Sequence, residues 1–327
     1  MTRRLWILGI IVLISLALIV GISNNKKASQ QAAFSVTAVT KHQGEERILQ
    51  YLGKDYQLPI KVEKIVVTGA LEALEDLLIL GVKPVGLMTI GGTFPPMFAE
   101  ITQGAKSVGE RVQPNFEAML KIKPDIILSS DKFSAATEEQ LEKIAPTIPI
   151  SHIPVDGEAN LRFLGELTGK QERVEEILRK YKQDVAAAKS RLPEQVKNKK
   201  VVVVRIRAGN ICIYPDNLFF NNVLYTELGL PVPEEIRTAK VQEVLSLEKF
   251  SEMDPDYIFL QYAVSESSTQ LNIVGELQRN PIWQSMKAVK HNNVFVNIVD
   301  PLIQGVAIGG KIQFLNAAIE KLSQQNI

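Results

Sequence analysis

Two arginines stand at alternate positions behind an apolar run: Val201-Val202-Val203-Val204 is followed by Arg205, Ile206 and Arg207. Alternate side chains of an extended strand leave on the same face, so both guanidinium groups point one way. A core strand does not normally carry two like charges on one face. The pair either sits at a solvated strand end beside carboxylates, or lines a cleft. In the second case it offers planar, charged donors in fixed directions to negatively polarised oxygens. Tyr214, just beyond Asn210-Ile211-Cys212-Ile213, adds a phenol donor or is a buried aromatic.

Composition narrows the chemistry. The 327 residues carry 37 Lys and Arg against 36 Asp and Glu, a formal net charge of +1. No basic stripe is visible, which argues against nucleic acid as a partner. Cys212 is the only cysteine, so an intramolecular disulfide and a cysteine-rich metal site are excluded. The three histidines are scattered, which speaks against free zinc or manganese, and His152 and His291 read as structural or exposed. No nucleophile elbow, Walker loop, zinc-protease helix or dinucleotide fingerprint occurs, so no catalytic residue, metal ligand or cofactor is nominated.

The elements that position these residues repeat. Asn115-Phe116-Glu117 precedes Lys123-Pro124-Asp125-Ile126-Ile127-Leu128, and Ser246-Leu247-Glu248 precedes Asp254-Pro255-Asp256-Tyr257-Ile258-Phe259-Leu260. In both copies the glutamate stands seven residues before the proline, and an apolar strand follows. Each copy also comes after a strand and a helix ending in Leu-Gly, at Leu80-Gly81 and Leu228-Gly229. The pattern predicts an α/β protein with two Rossmann-like lobes, parallel-type sheets and a ligand cleft between them. The expected divisions are a signal peptide or membrane anchor at 1–23 and a tether with an N-terminal strand or hairpin at 24–60. A first lobe at 61–157, a connecting helix at 158–192 and a second lobe at 193–327 complete them. Apolar spacing from Leu161 to Ala188 predicts one mostly continuous helix, with Gly169 as a place where it is nicked. A single stiff connector predicts small changes in lobe angle on binding.

Ligands of parallel sheets gather at the carboxyl ends of strands. The loop Ser129-Ser130-Asp131-Lys132-Phe133, the loop Thr89-Ile90-Gly91-Gly92-Thr93-Phe94-Pro95 and the pair Gln261-Tyr262 all follow such ends. Phe94 and Tyr262 are therefore candidate walls, while Trp283 reads as packing. At the N-terminus, Arg3 and Arg4 precede an uncharged run at 5–22, followed by Lys26 and Lys27. This segment directs export. It is either cleaved near Gly21-Ile22-Ser23 or retained as an anchor.

An ordered series of short motifs resembles the solute-binding proteins of ABC importers for ferric siderophores and cobalamin. Leu80-Gly81-Val82-Lys83-Pro84-Val85-Gly86, Val108-Gly109-Glu110, Leu141-Glu142-Lys143-Ile144-Ala145-Pro146-Thr147 and Asn280-Pro281-Ile282-Trp283 belong to it. The Arg-Ile-Arg strand with Ile213-Tyr214 and Leu224-Tyr225 is more similar to the siderophore branch. The resemblance implies a monomer that captures a ferric siderophore, needs no cofactor and delivers its cargo to a permease dimer in the cell membrane. Haem or cobalamin as cargo, and a membrane-anchored sensor without a transport role, are the alternatives. The resemblance further implies a basic ligand-binding residue at Lys132 and one docking glutamate per lobe, Glu117 and Glu248. Members from Gram-positive bacteria usually carry a lipid-bearing cysteine after the hydrophobic run; here Ile22 follows Val20-Gly21.

Overall fold

The computed structural model describes residues 38–43, 46–264 and 273–324. The N-terminal run at 5–22 lies outside them, and no helix among the described residues is long and apolar enough to cross a membrane. Strands β1 (Ala38–Gln43), β2 (Glu46–Tyr51) and β3 (Lys54–Pro59) make an antiparallel sheet, larger than the hairpin expected there. Leu49, Tyr51 and Leu58 plug this sheet into the core of the first lobe. The Tyr51 hydroxyl donates to Asn160 Oδ1 at 2.6 Å and accepts from the Ser151 N–H at 2.9 Å.

The first lobe is built on β4 (Ile65–Val67), β5 (Gly86–Thr89), β6 (Lys106–Glu110), β7 (Gln113–Pro114), β8 (Ile126–Ser130) and β9 (Thr147–Ile150), in the order β7-β6-β5-β4-β8-β9. All neighbours run parallel except the short edge strand β7. The second lobe uses β10 (Val201–Arg207), β11 (Asn210–Ile213), β12 (Glu243–Leu245), β13 (Tyr257–Tyr262) and β14 (Val294–Val296), in the order β12-β11-β10-β13-β14. Here β10, β13 and β14 are parallel, whereas β11 and β12 are antiparallel additions. The valine run makes β10 a buried central strand, as helix-covered parallel strands require. A two-residue turn joins β10 to β11. Ala208 and Gly209 both have positive φ (47° and 79°), the twist that a tight hairpin needs.

The sequence repeat is a structural repeat. Helix Phe116–Ile122 is capped by the Asn115 side chain, which accepts from the Ala118 N–H; helix Leu247–Met253 is capped by Ser246, which accepts from the Lys249 N–H. Both helices end on a left-handed residue, Lys123 or Asp254, just before the proline that forbids another turn. The aspartate after each proline then ties down the start of the lobe's central strand. Asp125 Oδ2 accepts from the Lys64 N–H at 2.8 Å, and Asp256 Oδ2 from the Lys200 N–H at 2.9 Å.

The connector differs from the continuous helix expected over 158–192. Helix Gly157–Thr168 stops at Gly169, whose φ of 68° suits a residue without a Cβ, and a second helix spans Gln171–Arg191. Leu161, Phe163, Leu164 and Leu167 of the first helix belong to the first lobe's core. Of these two, the second helix, 21 residues and thus about 32 Å long, carries the chain from one lobe to the other. Its Val174, Ile177 and Leu178 pack into the first core, and Tyr181 and Ala188 into the second. The C-terminal helix Ile308–Ser323 is a further tie. Phe314, Leu315 and Ile319 lie in the second core, while Ile308 enters the first, where Asp76 Oδ1 accepts the Gly309 N–H at 3.1 Å.

Candidate functional site: a cationic cleft between the lobes

A cleft between the lobes holds about 510 Å³ of empty space, counting the part open to solvent. Its first wall is Lys132, His152 and Pro154, from the loops that follow β8 and β9. The opposite wall begins with Arg205 and Arg207 at the carboxyl end of β10, then Tyr214 just past β11. Leu218, Phe219, Gln304 and Val306 complete it. Strand ends of both lobes thus converge on one space, as ligand sites of parallel sheets do.

The two arginines occupy different surroundings. Arg205 is only 2% exposed, a burial tolerable for a charge only when it is well bonded. Its guanidinium donates to Gln261 Oε1 at 2.8 Å and to the Pro301 carbonyl at 3.1 Å, and lies 5.6 Å from the Phe219 ring centre. Arg207 is exposed and donates to Gln242 Oε1 at 2.7 Å. The Tyr214 hydroxyl donates to the same oxygen at 2.9 Å, so one amide orients two cleft groups. Tyr214 stacks on Phe219 with ring centres 4.8 Å apart, forming an aromatic wall. Desolvation raises the Tyr214 pKa against the opposing pull of Arg205 and Arg207, which keeps the phenol neutral and able to donate.

Lys132 adds a cation from the facing lobe. Desolvation lowers its pKa, and Arg111 and Arg207 lower it further, against the pull of Glu72 and Asp131. Arg111 and Arg207 are therefore each within electrostatic reach of Lys132, an arrangement that favours an anionic guest. Phe219 has a φ of 56°, a strained setting for a bulky residue. Gly305 permits it: a Cβ there would stand 2.9 Å from the Phe219 carbonyl oxygen.

Of the residues nominated from sequence, Lys132, Arg205, Arg207 and Tyr214 come together in this cleft. Phe94 and Tyr262 stand outside it. The Glu110 carboxylate accepts from the Gly91 and Gly92 N–H groups of the loop that carries Phe94, at 2.9 Å each, and Phe94 packs on the first core. Tyr262 packs on the second core, its N–H donating to Asn297 Oδ1. Its neighbour Gln261 is buried and serves Arg205. His152, expected to be merely structural or exposed, lines the cleft. Trp283 is core, stacked 6.2 Å from Phe250, and Cys212 is buried. Arg111, Gln242 and Phe219 escaped the sequence reading. The doublet Phe219-Phe220 just beyond Tyr214 is the one local signal that could have pointed to any of them. Glu117 and Glu248 are exposed, each in the first turn of its capped helix, and neither lines the cleft.

Two α/β lobes linked through one helix around a charged cleft have the build of a solute-binding protein, and the sequence agrees. The profile of the periplasmic binding protein family matches residues 66–297, and the chain belongs to that family. It is 41% identical over 314 residues to the iron-uptake system-binding protein of Bacillus subtilis, covering 96% of this chain and 98% of the relative. The crystal structure of the triscatecholate siderophore-binding protein FeuA from B. subtilis, complexed with ferri-bacillibactin, superposes with a TM-score of 0.82 at 44% identity, over 85% of this chain and 98% of that one. Staphylococcus aureus SirA in complex with staphyloferrin B shares the fold at a TM-score of 0.70 and 24% identity, over 85% and 97% of the two chains. The family and these relatives are binding proteins.

Proposed function

We propose that the protein captures a ferric siderophore outside the cytoplasm and hands it to an ABC importer, and that its cargo is of the tris-catecholate type. The observation that carries this reading is the meeting of Lys132 with Arg205, Arg207 and Tyr214 across one interlobe cleft. A ferric tris-catecholate bears a net triple negative charge and surrounds its iron completely with oxygen. A host for it needs no metal ligand. It needs cations, donors in fixed directions and an aromatic wall for the rings, and the cleft supplies all three. Similarity to a triscatecholate-binding relative supports the same cargo class.

The same reading extends to delivery. Glu117 and Glu248 stand at equivalent positions of equivalent capped helices, one per lobe, and both are exposed. Two like-charged posts suit a two-fold symmetric, basic permease dimer, against which a monomeric binding protein docks. The hydrophobic run at 5–22 is long enough to hold the chain in the membrane, in place of a lipid at the position of Ile22. The protein carries out no catalysis. The test is a fluorescence-quenching titration of the purified chain with ferric catecholate, hydroxamate and citrate complexes, haem and cobalamin. Tightest binding of the catecholate supports the proposal, and preference for haem or cobalamin overturns the cargo assignment.

A further inference from the structure

Among the described residues His152 is the only histidine lining the cleft, and one of its two ring nitrogens is engaged by a carboxylate. Asp131 Oδ1 and Oδ2 stand 2.7 and 2.9 Å from His152 Nδ1, and Oδ2 also accepts the His152 backbone N–H at 3.2 Å. The two residues follow adjacent parallel strands, β8 and β9, which pair through Ser130 and Ile150. An ionised carboxylate can only accept, so the proton of the neutral ring sits on Nδ1. Among the described residues, Nε2 makes no hydrogen bond, and the side chain is 36% exposed. In the neutral ring Nε2 is an acceptor, with no use for an oxygen-rich guest. In the imidazolium it becomes a donor carrying positive charge.

The charged and titratable groups around it favour that switch being felt by the ligand. Asp131 and Lys132 face the ring from the loop after β8, and Asp156 lies on the turn beyond it, held by the Ser151 hydroxyl at 2.6 Å. Arg205, Arg207 and Tyr214 line the far wall. Lys311 lies behind the Pro154 that borders the cleft, donating to its carbonyl at 3.0 Å. Among the described residues, Asp131 alone contacts the imidazole.

We propose that His152, held by Asp131, is a ligand-contacting residue that donates Nε2–H to an anionic ligand oxygen when protonated, so that capture tightens on acidification. The proton comes from solvent and is taken up as the ligand binds. This inference rests on the siderophore reading above. Titrate wild type, His152→Gln and Asp131→Asn with ferri-bacillibactin at about pH 8 and about pH 6.5, with thermal melts confirming that each variant is folded. Wild-type affinity should rise about three- to tenfold on acidification relative to His152→Gln, the size of one added charge at partly solvated range. Asp131→Asn should show an intermediate rise, because its amide oxygen can still accept from Nδ1–H while the carboxylate charge beside the ring is gone. Protonation of the ligand itself affects all three proteins and cancels in the comparison. A His152→Gln protein with the wild-type pH profile overturns the histidine's role alone. Wild-type protein that binds no ferric complex at either pH overturns the cargo reading and this inference together.

Discussion

Arg205 and Arg207 share a strand face, yet their substitution should read out differently. Arg207 is exposed in the cleft, so Arg207→Ala should cost about 1.5–3 kcal/mol of ligand affinity, as for a charged hydrogen bond, with folding stability changed by less than about 0.5 kcal/mol. Arg207→Lys should recover only part of the affinity, because the fork geometry is lost. Arg205 is buried and satisfies Gln261 and the Pro301 carbonyl. Arg205→Ala should therefore also lower unfolding free energy, by about 1–3 kcal/mol, since it strands buried acceptors. Titration and chemical denaturation of the three variants check these outcomes. Equal stability of the Arg205→Ala protein and wild type would contradict the structural part. Strand alternation made both arginines legible in sequence. Their partners were not legible, because Gln261 and Pro301 lie 56 and 96 positions away and only the β10–β13 pairing and the chain's return bring them near. Phe94 and Tyr262 show the converse. A strand-end position alone did not tell which way a side chain turns; Phe94 packs against the first core and Tyr262 against the second, contacts made by residues distant in sequence.

At the scale of elements, the repeat was legible to the residue. Cap, glutamate, left-handed stop, proline and aspartate all recur because each meets the same local backbone need. The ends of the connector were less legible, since Gly169 is tolerable inside a helix and its left-handed φ is fixed by how the flanking helices pack. The helix Leu71–Leu80 carries a feature no periodicity announces: Glu72, Glu75 and Asp76 are all buried. Burial pushes the Asp76 carboxyl up to about 7, against the stabilising Gly309 and Ile308 N–H groups of the C-terminal helix. Burial likewise raises Glu72 and Glu75. The sign follows directly. A carboxyl raised in the fold contributes stability below its unfolded pKa of about 3.9, and that contribution is lost as pH climbs through the folded value. Stability should thus fall between about pH 4 and pH 7. Asp76→Asn, which keeps an acceptor for Gly309, should flatten that fall and be relatively more stable at about pH 8. Thermal melts across this range check it, and a variant whose melting point keeps the wild-type pH slope would contradict the account.

At the scale of the whole molecule, two helices bind the lobes together, since Gln171–Arg191 and Ile308–Ser323 each reach into both cores. That construction favours a preformed cleft with limited closure. It also holds Glu117 and Glu248 at a set separation. Glu117→Ala and Glu248→Ala should leave siderophore affinity intact and reduce uptake by cells, the double variant more than either single one. Normal uptake by the double variant would remove the docking role. Full-length protein should be found in the membrane fraction, released by detergent and not by high salt. A mature N-terminus beginning near Asn24 would show cleavage instead. The most direct test of the central claim is the position of iron in crystals of the protein with ferri-bacillibactin, located by anomalous scattering at the iron edge. The account expects one iron site in the interlobe cleft between Lys132 and Arg207, its coordination filled by ligand oxygens with no protein atom bound to it. Iron found outside that cleft, or ligated directly by a side chain, would contradict it.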